Sequence, residues 1–214
     1  NQMHRSPGVF FDHDKGKTHA SQKKLFNCRV IPNRGSWLDF EFDVKDILYF
    51  RIDRKKKIFV TTLLQAIGFT KSDIVNEFYD KETCSYDSKI NKWKRKFDPD
   101  SYKAKNFSEE VIDAKTGKTL VKIGDKINFL TAKKLANEGL KEIFVSNDSL
   151  YGKFLHKNIT IGDKIYKIGT QLDEEILNIF LENNIYSLEI SKTNTLHKGP
   201  YILQTLIQDK NENK

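Results

Sequence analysis

The densest chemistry in the chain is Arg51-Ile52-Asp53-Arg54-Lys55-Lys56-Lys57, five cations in seven residues. Four consecutive like charges repel one another, a cost relieved when the phosphates of a polyanion lie nearby. A solvated basic loop is the plain alternative. Trp37 follows Arg34-Gly35-Ser36 on the turn side of an apolar run. A Trp there is either a core plug or a platform on which an unstacked base can lie, and the residues alone leave both open. Five of the six Arg fall within the first 60 residues of a chain that otherwise uses Lys. Arg in such a background marks places where a planar fork or a stacking surface matters.

Covalent or metal chemistry does not assemble. His13-Asp14 and His19 lack the spacing of zinc ligands, and His4, His156 and His197 stand apart from them. Ser6, Ser21 and Ser36 sit in no strand-turn-helix nucleophile context. Asp14-Lys15-Gly16-Lys17-Thr18 has one Gly where a phosphate loop needs a longer Gly-bounded turn, so it predicts a hairpin turn. No catalytic residue, metal ligand or cofactor site is expected in this stretch.

The composition sets the frame for these residues. Across 214 residues there are 37 Lys+Arg and 29 Asp+Glu, a net charge of +8 with pI near 9.2. Hydrophobic residues make up 38% and aromatics 12%, which suits a globular chain of one or two domains and excludes a disordered basic tail. No apolar run approaches the roughly 20 residues of a spanning helix, so no membrane is expected among its partners. The charge is uneven: residues 1–60 hold 13 Lys+Arg against 7 Asp+Glu, leaving 24 against 22 in the rest. The opening Asn1-Gln2-Met3-His4-Arg5 and the polar close Asp209–Lys214 predict a piece of a longer protein. Cys28 and Cys84 are expected as free thiols.

Three runs read as strands of an antiparallel sheet: Leu25–Ile31, Trp37–Asp43, which alternates apolar and acidic residues with period 2, and Ile47–Ile52. Val60–Gly68 predicts a helix stopped by its Gly, and Thr70-Lys71-Ser72-Asp73 begins a second through Ile74, Val75, Phe78 and Tyr79. Residues 81–110 are polar, Lys-rich and weakly periodic. Beyond them lies a repeat at an offset of 45: Gly117–Val145 matches Gly162–Ile190 without a gap, with Ile127, Leu135, Leu140, Ile143 and Val145 opposite Leu172, Phe180, Ile185, Leu188 and Ile190. Two copies are too few for a solenoid and predict a pseudo-symmetric domain with one shared core. Gly199-Pro200 then opens a helix that returns to the first domain. The expected fold is α+β: a discontinuous domain of antiparallel strands and helices over 1–80 and 191–214, carrying a nested α+β insertion over 81–190 built from two β-β-α-β repeats, 117–145 and 162–190.

Four segments carry a resemblance: His4-Arg5-Ser6-Pro7-Gly8-Val9-Phe10-Phe11-Asp12 with Asp14–His19, then Arg34-Gly35-Ser36-Trp37-Leu38-Asp39-Phe40-Glu41-Phe42-Asp43, then Arg51–Lys57, and finally His197-Lys198-Gly199-Pro200-Tyr201-Ile202. Together they resemble the lobe domain of the bacterial DNA-directed RNA polymerase β subunit. Residues 81–195, where the similarity is looser, resemble the lineage-specific insertion that many such lobes carry. The resemblance implies one jaw of the cleft that holds downstream DNA, in an assembly with β′, α, ω and σ subunits and DNA, in the bacterial cytoplasm and nucleoid. It implies that Arg5 helps to read a flipped non-template guanine, which suits the two hydrogen bonds Arg can give a guanine edge. Trp37 would stack on a neighbouring non-template base, Asp53 and Arg54 would lie beside the same strand, and Lys55, Lys56 and Lys57 would attract phosphate. Nucleotidyl transfer would belong to the assembly, with Mg2+ held mainly by β′ and no catalysis by this segment.

Departures from the family pattern bear on the site. Lys55 and Lys56 stand where Arg is usual, which keeps point charge and loses bidentate grip. Phe59 replaces a Pro, and Asn33 replaces a Tyr before the Arg-Gly-Ser-Trp turn. The insertion is a candidate docking site for transcription regulators. Two rival readings remain: an independent single-strand-binding module, and a purely structural or regulator-docking domain in which Arg5 and Trp37 only pack.

Overall fold

A computed structural model describes residues 6–18, 22–103, 110–122, 124, 125, 127–194 and 198–211. The chain divides into two compact units, Asn1–Val75 with Pro200–Lys214, and Asn76–Gly199.

The first unit is built on a five-stranded antiparallel sheet in the order β1 (Gly8–Thr18), β2 (Lys24–Ile31), β3 (Leu38–Phe42), β4 (Leu48–Ile52), β5 (Ile58–Phe59). The sequence predicts only the middle three. Val9-Phe10-Phe11 gives β1 a strong strand start, but its polar continuation through Asp14-Lys15-Gly16 hides the rest. That segment is not the predicted hairpin turn: it lies inside β1, where the register with β2 shifts between His13 and Thr18. Register then sorts the side chains. Phe11, Cys28, Phe40, Phe50 and Ile58 line up across the strands on one face, while Phe10, Arg29, Asp39 and Arg51 line up on the other.

Two helices, the second of which continues past Val75 into the next unit, and a returning third complete this unit. In α1 (Val60–Ala66) the chain stops as predicted at Gly68, whose φ of +108° is the left-handed cap that Gly tolerates, with Phe69 N–H returning to the Leu64 carbonyl. Before α2 (Lys71–Phe78), Thr70 and Asp73 exchange hydrogen bonds, each side chain accepting from the other's N–H. After Pro200, α5 (Tyr201–Gln208) joins the first unit: Thr205 Oγ1 accepts from Leu48 N–H at 3.1 Å, and the Tyr201 ring lies 5.1 Å from that of Phe42. Ile47, Phe50, Val60, Ile74, Ile202, Leu203 and Leu206 are buried. Toward β1 the apolar face stays open, with Phe11 81% exposed.

In the second unit a seven-stranded sheet runs β11 (Phe154–Leu155), β14 (Ser187–Ser191), β6 (Lys81–Asp87), β7 (Lys92–Lys96), β10 (Glu142–Val145), β8 (Val111–Asp113), β9 (Thr119–Val121). Helices α3 (Phe129–Asn137) and α4 (Glu174–Glu182) pack on it, and β12 (Ile159–Ile161) pairs with β13 (Lys164–Tyr166) in a separate ribbon. The repeat is visible at the same offset of 45. Asn128 and Asp173 cap the two helices, each side chain accepting from the N–H three residues on. Leu140 and Ile185 N–H groups return to the Leu135 and Phe180 carbonyls beyond the left-handed Gly139 and Asn184. Ile127, Ile143 and Val145 are buried like their counterparts Leu172, Leu188 and Ile190. The symmetry breaks where β11, rather than a strand of the β12–β13 ribbon, takes the place beside β14 that β8 holds beside β10.

The weakly periodic stretch after residue 80 is the middle of this sheet, the β6–β7 hairpin. Trp93 and Cys84 there are fully buried, and Glu82, with 7% of its side chain exposed, faces Arg95 at 3.9 Å. A charge among the inward residues is what blurred the alternation. Burial pushes the Cys84 thiol up to about 12, and both cysteines are free thiols.

Candidate nucleic-acid interface

The site lies on the polar face of the first sheet and the turn after β4. Ile52-Asp53-Arg54-Lys55 forms a two-residue turn closed by Lys55 N–H to the Ile52 carbonyl at 2.9 Å. Asp53 and Arg54 have φ of +48° and +60°. That is the type I′ geometry, which normally calls for Asn-Gly because an L side chain is strained there. Three sets of hydrogen bonds hold it. Arg51 donates from Nε to the Lys55 carbonyl and from Nη2 to the Arg54 carbonyl, both at 2.7 Å. Asp53 Oδ1 accepts the Trp37 N–H at 2.8 Å, and Asp53 N–H donates to the Trp37 carbonyl at 2.9 Å. A hydrogen bond from the Ser36 side chain, then the one from Trp37 N–H, holds the Asp53 carboxyl below the usual carboxylate range.

Trp37 is neither a core plug nor a fully exposed ring. It is half-buried, with the Arg29 guanidinium over its indole at 5.4 Å from the centroid. Arg29 in turn is forked onto Asp39, Nε to Oδ1 and Nη2 to Oδ2 at 3.1 Å. The acidic residues of β3 that read as a solvent face are therefore covered by cations of the flanking strands, and the Asp39 side chain is only 13% exposed.

The basic run divides. Among the described residues, Arg54, Lys55 and Lys56 are exposed and form no ion pair. Lys57 is taken up by Glu41, Nζ to Oε1 at 2.7 Å, and lies 5.8 Å from the Tyr49 ring. Its phosphate attraction is correspondingly muted. Arg54 also reaches the rim of a groove of about 580 Å³ whose walls include Asn27, Arg29, Asp39, Glu41 and Arg51. Of the residues singled out by sequence, Trp37, Asp53, Arg54, Lys55 and Lys56 thus come together; Arg5 and His197 lie outside the described residues.

Sequence reasoning missed Arg29 and Asp39 as members of this site and read Arg51 only as part of the basic run. Each was in view, but they become neighbours only through the β2–β3 and β3–β4 registers, Arg29 opposite Asp39 and Asp39 opposite Arg51. Arginine enrichment near the acidic strand was the available signal. Among the described residues no three His, Cys, Asp or Glu side chains meet where they could hold a metal ion. No described helix is long and apolar enough to cross a membrane.

Comparison with known proteins identifies the family of the chain. The family model for RNA polymerase Rpb2, domain 2, matches residues 5–144, running past the first sheet and through the first repeat copy. DNA-directed RNA polymerase subunit beta of Rickettsia massiliae (strain Mtu5) is 45% identical over 221 aligned residues, and that of Orientia tsutsugamushi (strain Boryong) 46% over 218. The same subunit of Rhizobium leguminosarum bv. trifolii (strain WSM2304) is 44% identical over 216. Each alignment takes in 100% of this chain and 16% of the relative. The chain therefore belongs to the RNA polymerase Rpb2 domain 2 family, and the relatives that it matches along its whole length are bacterial RNA polymerase β subunits.

Proposed function

We propose that this segment works as one jaw of the downstream DNA cleft of a bacterial RNA polymerase and contacts the non-template strand during transcription. The observation that carries the reading is Trp37, held half-exposed by Asp53 and Arg29 beside a turn that presents Arg54, Lys55 and Lys56. A braced aromatic flanked by exposed cations suits a single-stranded base with its phosphate backbone: stacking supplies affinity without demanding one sequence, and the cations attract phosphate. Arg5 would add guanine readout through its two-donor fork.

In this reading the segment positions DNA and performs no chemistry. Nucleotidyl transfer belongs to the assembly with β′, α, ω and σ in the cytoplasm, and Mg2+ is held mainly by β′. Residues 81–190 are the lineage-specific insertion, a surface for transcription regulators.

The test is made in the whole polymerase. Arg5→Ala and Trp37→Ala are compared with the parent for pausing and open-complex lifetime on templates with and without a non-template guanine. Both substitutions are expected to weaken the dependence on that base, and unchanged dependence sinks the readout. Tight, steeply salt-dependent single-strand binding by the 214-residue chain alone would favour an independent binding module instead.

A further inference from the structure

We propose that Arg29 is a positioning residue for Trp37, fixing the plane of the indole so that a non-template base meets a preformed stacking surface; the proposal rests on the base-stacking reading above. Trp37 is anchored twice. Its main chain is clamped by Asp53, through bonds of 2.8 and 2.9 Å in the two directions, and its ring by the guanidinium 5.4 Å from the centroid. The first anchor places the residue but leaves the side-chain torsions free. Of these two anchors, the second is the one that acts on the ring.

Arg29 suits this task because it is itself immobilised. Asp39 binds it by a two-point fork, and the β2–β3 register sets the two residues directly opposite each other. A guanidinium held flat offers the ring a planar cation, favourable both as a stack and through the ring quadrupole. Asp39 in turn faces Arg51 across β3–β4, and Arg51 ties down the carbonyls of the turn that carries Asp53. The β2–β3 and β3–β4 registers thus set the residues behind the two anchors of Trp37 on neighbouring strands, from β2 to the turn after β4. A ring that is already fixed loses less freedom when a base stacks on it, so binding is tighter for the same contact area.

The experiment uses the complete polymerase and an open bubble with 2-aminopurine in the non-template strand, whose fluorescence is quenched by stacking on an indole. Trp37→Ala should relieve the quenching. Arg29→Met, which keeps the apolar stem, should weaken base stacking by about two- to five-fold, the span of an exposed cation–π contact. Arg29→Lys, lacking the planar fork, should fall between Met and the parent, and Asp39→Asn should partly relieve the quenching, in the same direction as Arg29→Met. In a Trp37→Ala background Arg29→Met should change nothing further, the mark of two residues acting through one contact. If Trp37→Ala leaves the quenching intact, the stacking reading fails. If Trp37→Ala relieves it while Arg29→Met and Arg29→Lys do not, or if the Arg29 and Trp37 effects simply add, the stacking reading stands and the positioning role is overturned.

Discussion

Asp53 and Trp37, sixteen positions apart, hold each other by two hydrogen bonds: the Trp37 N–H donates to Oδ1 of Asp53 at 2.8 Å, and the Asp53 N–H donates to the Trp37 carbonyl at 2.9 Å. The aromatic residue and the basic turn are thereby one mechanical unit, although the chain between them runs out along β3 and back along β4. A base contact at Trp37 and a phosphate contact at Arg54 or Lys55 report on the same piece of backbone.

Asp53 should titrate below 3.8 in the folded chain, because the Ser36 side chain and the Trp37 N–H favour its charged form. A depressed carboxylate contributes stability above its unfolded value and loses it as pH falls through the folded one. The clamp therefore holds throughout neutral conditions and opens only in acid below 3.8. Carbon-detected NMR titration of the Asp53 carboxyl checks this. A midpoint at or above 3.8 would mean that the clamp is not formed in solution.

Arg54→Gly should stabilise the first unit while weakening its hold on DNA. Arg54 sits at φ +60°, where an L residue costs roughly 1–2 kcal/mol and Gly costs none sterically. Set against the added freedom of Gly in the unfolded chain, the net gain is about 1 kcal/mol, or about 2–4 °C in the melting temperature of a chain this size. Loss of one phosphate-facing cation should flatten the salt dependence of DNA binding by about one unit of slope. A variant that melts lower would show that the turn is not strained.

Local signals in the sequence carried much of this fold. The Gly68 stop and the helix start at Thr70–Asp73 are short-range chemistry that residue types at fixed spacing reveal; the paired caps Asn128 and Asp173 are equally local but went unread. The hairpin β6–β7 was hidden because Glu82 and Arg95 sit among inward-facing residues and erase the period of two. Trp37 was open to two readings because its environment depends on which residue of β2 lies across from β3. That register is set by pairings over the whole sheet, and without it the Asp39–Arg29–Trp37 network has no signature along the chain.

His156 should make the second unit sensitive to mild acid. The ring is buried, its Nε2 meeting Asn76 Oδ1 at 2.8 Å and its Nδ1 meeting Ser191 Oγ at 2.9 Å. With Asn76 accepting from Nε2–H, Nδ1 is left to accept from the Ser191 hydroxyl, an arrangement that requires the neutral ring. Burial lowers its affinity for a proton; Glu189 opposes this and Lys81 adds to it. Below the ordinary value of 6.5 the unfolded chain takes up a proton that the folded one refuses, so stability is full above 6.5 and declines as pH falls toward the depressed folded value. Thermal unfolding between pH 7.5 and 5, followed by Trp93 in a Trp37→Phe background, should show this decline, and His156→Gln should remove it.

Asp209 should prove the clasp that closes the first unit across 148 positions of sequence. Its side chain is almost fully buried and accepts from the hydroxyls of Thr61 and Thr62 at the start of α1 and from the Gln65 amide, while its other oxygen takes the Asn211 N–H at 3.0 Å. Replacing it by Ala leaves the buried Thr61 hydroxyl without this acceptor and the buried Gln65 amide with the Thr61 carbonyl, and hydrogen bonds to a charged group are among the costlier ones to lose. Asp209→Ala is expected to destabilise this unit by about 3 kcal/mol, and Thr61→Val, which removes a single donor of the same shape, by about 1 kcal/mol. Urea unfolding followed through Trp37 in a Trp93→Phe background measures both. Equal and small losses in the two variants would mean that α5 is held by its apolar face alone, through Ile202, Leu203 and Leu206, and that the buried carboxylate is incidental to closure.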